Sequence, residues 1–168
     1  LDVTLTPSAL AMAQNTATTA VAGEGVDPAM ATVSDGGLAV EGLIVDADLQ
    51  VDAGGTWIVV DSSTAVTNTA GEADFAGDLN PTDAAATYRV VYTVRSTGDS
   101  VASGDITVTP AALDSIEFVA SPASAQVAGV PMVDTADEPI RVLATDEFGN
   151  PVAGVDVTVA LTTGTIDG

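Results

Sequence analysis

Residues 86–95 read ATYRVVYTVR, and this stretch decides the fold class of the chain. Large apolar or aromatic side chains occupy every second position, which is the period of a β-strand with one buried face. The residues expected to share that face are Tyr88, Val90, Tyr92 and Val94. A Thr-Gly-Asp turn follows at residues 97–99, and a second strand-like segment occupies residues 100–109. The two segments therefore predict an antiparallel hairpin.

The same alternation recurs in residues 38–51 (LAVEGLIVDADLQV), with a slip near Gly42 and Leu43 that predicts a bulge or a turn between two strands. The side chains predicted to point inward are Leu38, Val40, Ile44 or Val45, Ala47 and Leu49. Further short strands are predicted at residues 2–6, 56–60 and 71–75. These segments together predict an all-β fold.

Two N-terminal segments lack this clear pattern. Residues 9–21 are Ala-rich but contain several Thr residues that disfavour a stable helix, so we interpret them as a loop leading to a strand near residues 17–22. Residues 23–37 (GEGVDPAMATVSDGG) are interpreted as a long loop or an insertion. Aromatic residues make up only 4% of the chain, so the core must be built from Val, Ala, Leu and Ile. The single tryptophan, Trp57, is predicted to pack in that core.

The charge of the chain limits its partners. The net charge is −21, and the only cationic side chains belong to Arg89, Arg95 and Arg141. Such a chain repels nucleic acid and anionic membrane surfaces, because both require clustered Lys and Arg. We therefore predict no nucleic-acid partner, and no segment is apolar over a length that would predict membrane insertion. The acidity has two explanations: a hydrated surface adapted to salt, or Asp-rich loops that bind Ca²⁺.

The residue types that are missing limit the chemistry. The chain has no Cys and no His, and its three cationic residues are all Arg. Disulfides, thiolate nucleophiles and a Ser-His-Asp triad are therefore excluded. Carboxylates alternate with apolar residues along the strands, as solvent-facing positions do, and nothing in the sequence places two of them in a cleft. We predict that the chain is not an enzyme.

The strand pattern restarts after Pro110-Ala111-Ala112. New strands are predicted at residues 113–120, 139–145 and 155–161, with a turn at residues 148–154. The interpretation is two tandem modules, residues 1–110 and residues 111–168. The second module offers three or four strands, which is too few to close a two-sheet sandwich. It is expected to be either part of a longer protein or completed by another chain.

Residues 140–161 (IRVLATDEFGNPVAGVDVTVAL) resemble the bacterial immunoglobulin-like repeats of the invasin and intimin type. The resemblance lies in an alternating strand that ends in Thr145-Asp146, a Gly-Asn-Pro-Val turn at residues 149–152, and Gly154-Val155 before the next strand. Residues 69–75, residues 86–88 and the ending at residues 164–168 are similar to other parts of such repeats. The resemblance implies tandem immunoglobulin-like β-sandwich modules, the second incomplete, in an extracellular stalk, and it carries no catalytic residues.

Two loops of the second module offer a candidate calcium site, because Ca²⁺ takes six to eight oxygen ligands from carboxylates, amides and carbonyls. One loop contains Asp134, Asp137 and Glu138, and the other contains Asp146, Glu147 and Asn150. Neighbouring loops can meet at one end of a sandwich. The alternative is that these side chains stabilise turns, which is the usual role of Asp and Asn in loops.

The predicted function is a structural module of an extracellular cell-surface assembly: a filament, a surface layer or an adhesin stalk. Its expected partners are further copies of itself or the rest of a longer repeat chain. The alternatives are a module that binds a glycan or a host or cell-surface receptor, a virion decoration or tail domain, and an accessory domain of a secreted hydrolase.

Overall fold

The computed structural model describes residues 10–124 and 129–159, so the predicted strand at residues 2–6 and the family-like ending at residues 164–168 lie outside the described residues. The described residues are all-β and contain no helix. The chain divides into two compact units, Leu1–Ala111 (unit 1) and Ala112–Gly168 (unit 2).

Unit 1 contributes ten strands among its described residues: β1 Ala11–Thr16, β2 Thr19–Val21, β3 Ala29–Asp35, β4 Leu38–Ala39, β5 Ile44–Asp52, β6 Trp57–Val66, β7 Glu72–Asp74, β8 Thr87–Val94, β9 Ser100–Ala102 and β10 Ile106–Thr109. They form two sheets. In the first sheet β3 pairs with β1, β4 and β7, all antiparallel. The second sheet has the order β2-β10-β8-β5-β6, with β9 also on β8, and only β10–β2 is parallel. The arrangement is consistent with a β-sandwich.

The core of unit 1 confirms the predicted inward face of residues 86–95, since Tyr88, Val90, Tyr92 and Val94 are all buried. In β5 the buried residues are Val45, Ala47 and Leu49, also as predicted. The Phe75 and Tyr92 rings pack 5.6 Å apart at an interplanar angle of 44°. Each large side chain buried here contributes about 1.5–3 kcal/mol relative to exposure.

The chain changes sheets near Gly42, where the sequence predicted a bulge or a turn. β4 belongs to the first sheet and β5 to the second, and Gly42 between them has a φ of 81°. The Gly42 amide donates to the Thr67 carbonyl oxygen at 2.9 Å, and the Leu43 amide donates to Thr67 Oγ1 at 2.9 Å. The slip in the hydrophobic pattern is therefore the crossover between two sheets.

Residues 23–37 were predicted to be a loop or an insertion, and this prediction is wrong. They contain β3, which pairs with three other strands and buries Ala29, Ala31 and Val33. Small Ala side chains give a weak alternation signal, and turn residues crowd both ends of the segment. The strand is stabilised by its neighbours rather than by its own propensity. Residues 11–16, predicted as loop, likewise form β1.

Three other predictions for unit 1 need correction. Leu38 was predicted to point inward but is 76% exposed. Trp57 is half-buried and lies outside the buried core. The second strand of the predicted hairpin is split into β9 and β10. At Ser103, between them, the side-chain Oγ accepts a hydrogen bond from the Val90 amide at 2.9 Å.

Unit 2 has two paired strands in its described part, β11 Ser115–Ala120 and β12 Arg141–Thr145. They are antiparallel, with a register shift between Phe118 and Ala120. Isolated bridges join Pro122 to Asp134, Val133 to Pro139, and Thr145 to Pro151. Of the strand predicted at residues 155–161, residues 155–159 form no ladder, so that part of the prediction is wrong, and the remaining two residues lie outside the described residues.

Candidate functional site

The first predicted calcium loop, residues 134–138, is closed by its own aspartate. Asp134 Oδ1 accepts hydrogen bonds from the backbone amides of Ala136 at 2.8 Å and Glu138 at 3.0 Å. The Asp134 amide donates to the Glu138 carbonyl oxygen at 2.9 Å, and the Asp137 amide donates to the Asp134 carbonyl oxygen at 3.3 Å. Asp137 has a φ of 61°, which reverses the chain direction. Asp134 therefore serves as the cap of a tight turn.

The second predicted loop, residues 146–150, repeats this arrangement. Asp146 Oδ1 accepts hydrogen bonds from the amides of Phe148 at 3.0 Å and Asn150 at 2.8 Å. The Asn150 side-chain amide also donates to Asp146 Oδ2 at 2.9 Å. Gly149, with a φ of 85°, takes the place that Asp137 has in the first loop. Asp146 and Asn150 are both buried.

A third copy of the same turn lies in unit 1 at residues 68–72, where Asn68 replaces the aspartate. Asn68 Oδ1 accepts hydrogen bonds from the amides of Ala70 at 2.8 Å and Glu72 at 3.1 Å. The Asn68 amide donates to the Glu72 carbonyl oxygen at 2.9 Å, and Gly71 has a φ of 77°. The turn is thus a recurrent building element of this chain, and it works without a carboxylate.

The turn also lowers the pKa of Asp134. Hydrogen bonds from the Glu138 and Ala136 amides, with a smaller contribution from the charge of Arg141, lower the pKa of this buried carboxyl below its ordinary value. The described residues contain no group of three or more His, Cys, Asp or Glu placed to hold a metal ion. The structure therefore assembles each loop separately around backbone amides, and the calcium assignment to Asp134, Asp137, Glu138, Asp146 and Asn150 stays a prediction.

The outer face of the six-stranded sheet carries two of the three arginines. The guanidinium carbon of Arg89 lies 4.1 Å from the centre of the Trp57 ring, and Arg89 Nε donates to Gln50 Oε1 at 2.9 Å. Arg95 forms an ion pair with Asp46, and its hydrogen bonds lower the pKa of Asp46. Alternation in residues 86–95 already placed Arg89 on this face, but no sequence signal paired it with Trp57.

An apolar strand edge is a candidate interaction surface of unit 1. β6 is the last strand of its sheet, and its consecutive residues Ile58, Val59 and Val60 are each about half exposed. Single exposed apolar side chains are common on soluble proteins, but a contiguous group on a strand edge favours an interaction. Sequence reasoning assigned residues 56–60 to a strand without recognising that it lies at an edge.

Unit 2 also exposes an apolar face. The pairing of β11 with β12 places four apolar residues on one side of the hairpin: Ile116, Phe118, Val142 and Ala144. A groove of about 350 Å³ runs along part of this face and is lined on its other side by residues 156–159. β11 and β12 are the paired strands among the described residues of unit 2, and two strands alone are only marginally stable in water.

In residues 10–124 and 129–159 no helix is long and apolar enough to cross a membrane. Among the described residues the candidate sites are two surfaces, the β6 edge and the apolar face of unit 2. Comparison of the chain with protein-family models, with curated proteins and with solved structures finds no match in any of the three.

Proposed function

We propose that the chain is a structural part of an extracellular cell-surface assembly, built from tandem immunoglobulin-like modules of which unit 2 is a partial one. Unit 1 is the module for which the described residues give the most support. The proposal places the chain outside the cell, in a stalk, filament or surface layer, and gives it a mechanical and spacing role without catalysis.

The strand order of unit 1 supports this proposal. Immunoglobulin sandwiches place strands A, B and E in one sheet and strands C, F and G in the other. In unit 1, β1, β3 and β7 lie in one sheet, as strands A, B and E do. The order β10-β8-β5-β6 in the other sheet corresponds to G, F, C and an added edge strand.

The observation that carries the proposal is the hydrogen bond between Tyr88 and Asp83. Tyr88 lies at the start of β8, the strand in the F position, and its hydroxyl oxygen accepts a hydrogen bond from the Asp83 amide at 2.9 Å. A tyrosine that reaches back to the backbone a few residues upstream at this corner is a hallmark of immunoglobulin-like folds. Two residues further on, Val90 is buried where antibody domains have a disulfide-bonded Cys.

Unit 2 supports the tandem part of the proposal through the turn at residues 146–150. This turn falls within the segment that resembles bacterial immunoglobulin-like repeats, and the same turn geometry occurs at residues 68–72 of unit 1. The recurrence of this turn geometry in both units is consistent with two modules built in the same way. The strong negative charge fits a module that stays hydrated outside the cell.

A binding role for a glycan or a receptor is the alternative, and Trp57 beside Gln50 would be its natural contact point. Sugars stack on open aromatic faces, whereas Arg89 covers one face of the Trp57 ring and is itself hydrogen-bonded to Gln50. This geometry favours a structural surface over a carbohydrate platform.

The proposal is tested by immunogold electron microscopy of intact source cells, with antibody raised against unit 1. We expect label on ordered rods, filaments or a lattice outside the envelope. Label confined to the cell interior would contradict the proposal, and label on virus particles would favour the virion alternative.

A further inference from the structure

The outer edge of β6 combines free backbone groups with an unusual lack of charge. Among the described residues no strand pairs with the side of β6 opposite β5. Native proteins usually protect such edges with charged side chains, because unpaired N–H and C=O groups recruit other strands. β6 has ten residues and one charged side chain, Asp61, in a chain with 24 acidic residues.

Asp61 lies next to residues 57–60 rather than among them, and its carboxylate is bonded to backbone amides of its own chain. Asp61 Oδ1 accepts a hydrogen bond from the Ser62 amide at 2.9 Å, and Oδ2 accepts one from the Asn80 amide at 3.0 Å. Ser63 Oγ donates to Asp78 Oδ2 at 3.1 Å. These bonds hold residues 78–80 against the second half of β6. We call residues 57–60, which precede these bonds, the open edge.

The open edge is apolar on both sides of the strand. Ile58 is 50% exposed, Val59 is 49% exposed and Val60 is 52% exposed. A register shift opposite Leu49 and Gln50 makes Val60 the extra residue of a bulge. A partner strand along residues 57–60 would therefore meet backbone hydrogen-bonding groups flanked by β-branched side chains, which favours a partner strand of the same apolar character.

The net charge of the chain indicates which kind of partner can bind at this edge. Two copies of a chain with a net charge of −21 repel each other over most of their surfaces. The open edge contains no charged residue, and Arg89 stacks on Trp57 at its end, so like-charged copies meet the least repulsion there. A cationic partner would instead be drawn to the carboxylates elsewhere on the chain.

We propose that the open edge of unit 1 pairs antiparallel with the open edge of a second copy of this chain, across a two-fold axis. Antiparallel pairing of identical edges is self-complementary and closes at a dimer. It joins the two six-stranded sheets into one continuous sheet and buries Ile58, Val59 and Val60 of both copies. This inference deepens the proposed function by naming a partner, but a dimer can form whether or not the chain belongs to a surface assembly.

The first test measures how dimer formation depends on salt. Sedimentation velocity of the 168-residue chain is recorded over a range of protein concentrations in low and in high NaCl. Screening weakens the repulsion between two acidic copies, so we expect a dimer whose dissociation constant falls as NaCl rises. A chain that stays monomeric at all concentrations and salt levels overturns the proposal. An association that weakens with salt also overturns it, because it would depend on attraction between opposite charges.

Matched variants locate the interface. Val59→Lys places a charge on the open edge, and Val119→Lys does the same at a comparably exposed valine, 56% exposed, on β11 of unit 2. We expect Val59→Lys to weaken the dimer at least about tenfold, as charge at the centre of a small interface does, and Val119→Lys to leave it unchanged. If Val119→Lys weakens the dimer and Val59→Lys does not, the interface lies on unit 2 and the proposal is overturned. If Val59→Lys lowers the melting temperature, the smaller change Val59→Thr gives the same comparison with the fold intact.

Discussion

The hydroxyl groups of Thr16 and Tyr92 lie 2.6 Å apart and join the two sheets of unit 1 by a hydrogen bond. Thr16 ends β1 in the first sheet, and Tyr92 lies in β8 near the middle of the second sheet. Burial raises the pKa of Tyr92 above its ordinary value, although its bond with Thr16 partly offsets this effect. A buried polar contact between sheets fixes their registration better than apolar packing alone.

Removing either of these two hydroxyl groups should destabilise unit 1. Tyr92→Phe and Thr16→Val each delete one hydroxyl, and each should lower the free energy of unfolding by about 1 kcal/mol, the usual net value of such a bond. Urea unfolding followed by the fluorescence of Trp57, the single tryptophan, measures this loss. The double variant should lose less than the sum of the two single losses, because the same bond is removed in both. Strict additivity would contradict a direct interaction.

Tyr88 offers a second test of the fold assignment. Tyr88→Phe leaves the Asp83 amide without the acceptor it has in the structure, so the free energy of unfolding should fall by about 1–2 kcal/mol. The loss should appear in unfolding of unit 1, and hydrogen exchange of the Asp83 amide should accelerate. An unchanged exchange rate at Asp83 would show that the corner is not formed in solution.

The stability of the turn at residues 134–138 should depend on pH. The pKa of Asp134 is lowered in the folded state, so its contribution is fully present above the ordinary carboxyl pKa of about 3.9 and is lost as pH falls through the lower folded value. Asp134→Asn keeps an oxygen acceptor, as Asn68 does in the equivalent turn, and should remove this pH dependence while preserving the turn. NMR titration of the Glu138 and Ala136 amides in both proteins checks the prediction; identical acid profiles would contradict it.

Close backbone packing predicts that Gly25 cannot be replaced. A Cβ atom at Gly25 would lie 2.2 Å from the Gly77 Cα, so Gly25→Ala must displace backbone. We expect a loss of about 1–3 kcal/mol in the free energy of unfolding, which is typical of overpacking. Gly104→Ala is the control, because no atom lies within 4 Å of its built Cβ and its φ is not positive. Equal stabilities of the two variants in thermal unfolding would argue against this packing.

The sequence predicted the fold where large side chains alternate. Tyr88, Val90, Tyr92 and Val94 are large enough to mark one face of β8, and that face is buried. β3 was not predicted, because its inward residues include Ala29 and Ala31. Their small side chains are also common in loops and do not mark a buried face. Its place in the sheet depends on pairing with β1 and β7, which are distant in sequence.

The candidate site was predictable only in part. The Asp and Asn residues of the two loops in unit 2 were identified because they cluster in loops. The Oδ1 atoms of Asp134 and Asp146 accept hydrogen bonds from backbone amides, which depends on local turn geometry. The exposed edge of β6 could not be predicted, because only the sheet order reveals which strand is last. Trp57 was expected in the core, yet its register opposite Asp52 places it at the end of that edge strand.

The proposed mechanical role depends on how unit 1 would carry force between its ends. β2 near its N-terminus and β10 near its C-terminus are parallel neighbours, with Thr107 N bonded to Thr18 O at 2.9 Å and Ala22 N to Thr109 O at 2.8 Å. Tension applied just before β2 and just after β10 would pull these two strands in opposite directions along their length, so their hydrogen bonds would be loaded together in shear rather than opened one at a time.

The most direct test of the central claim is single-molecule pulling of the 168-residue chain between flanking reference modules. The structural role predicts one cooperative unfolding peak for unit 1, whose 111 residues add roughly 370–400 Å of extended chain, less its folded length. Ala20→Pro in β2 should lower the force of that peak. Extension of unit 1 without a distinct peak, at forces no higher than those that stretch an unfolded chain, would contradict a load-bearing module.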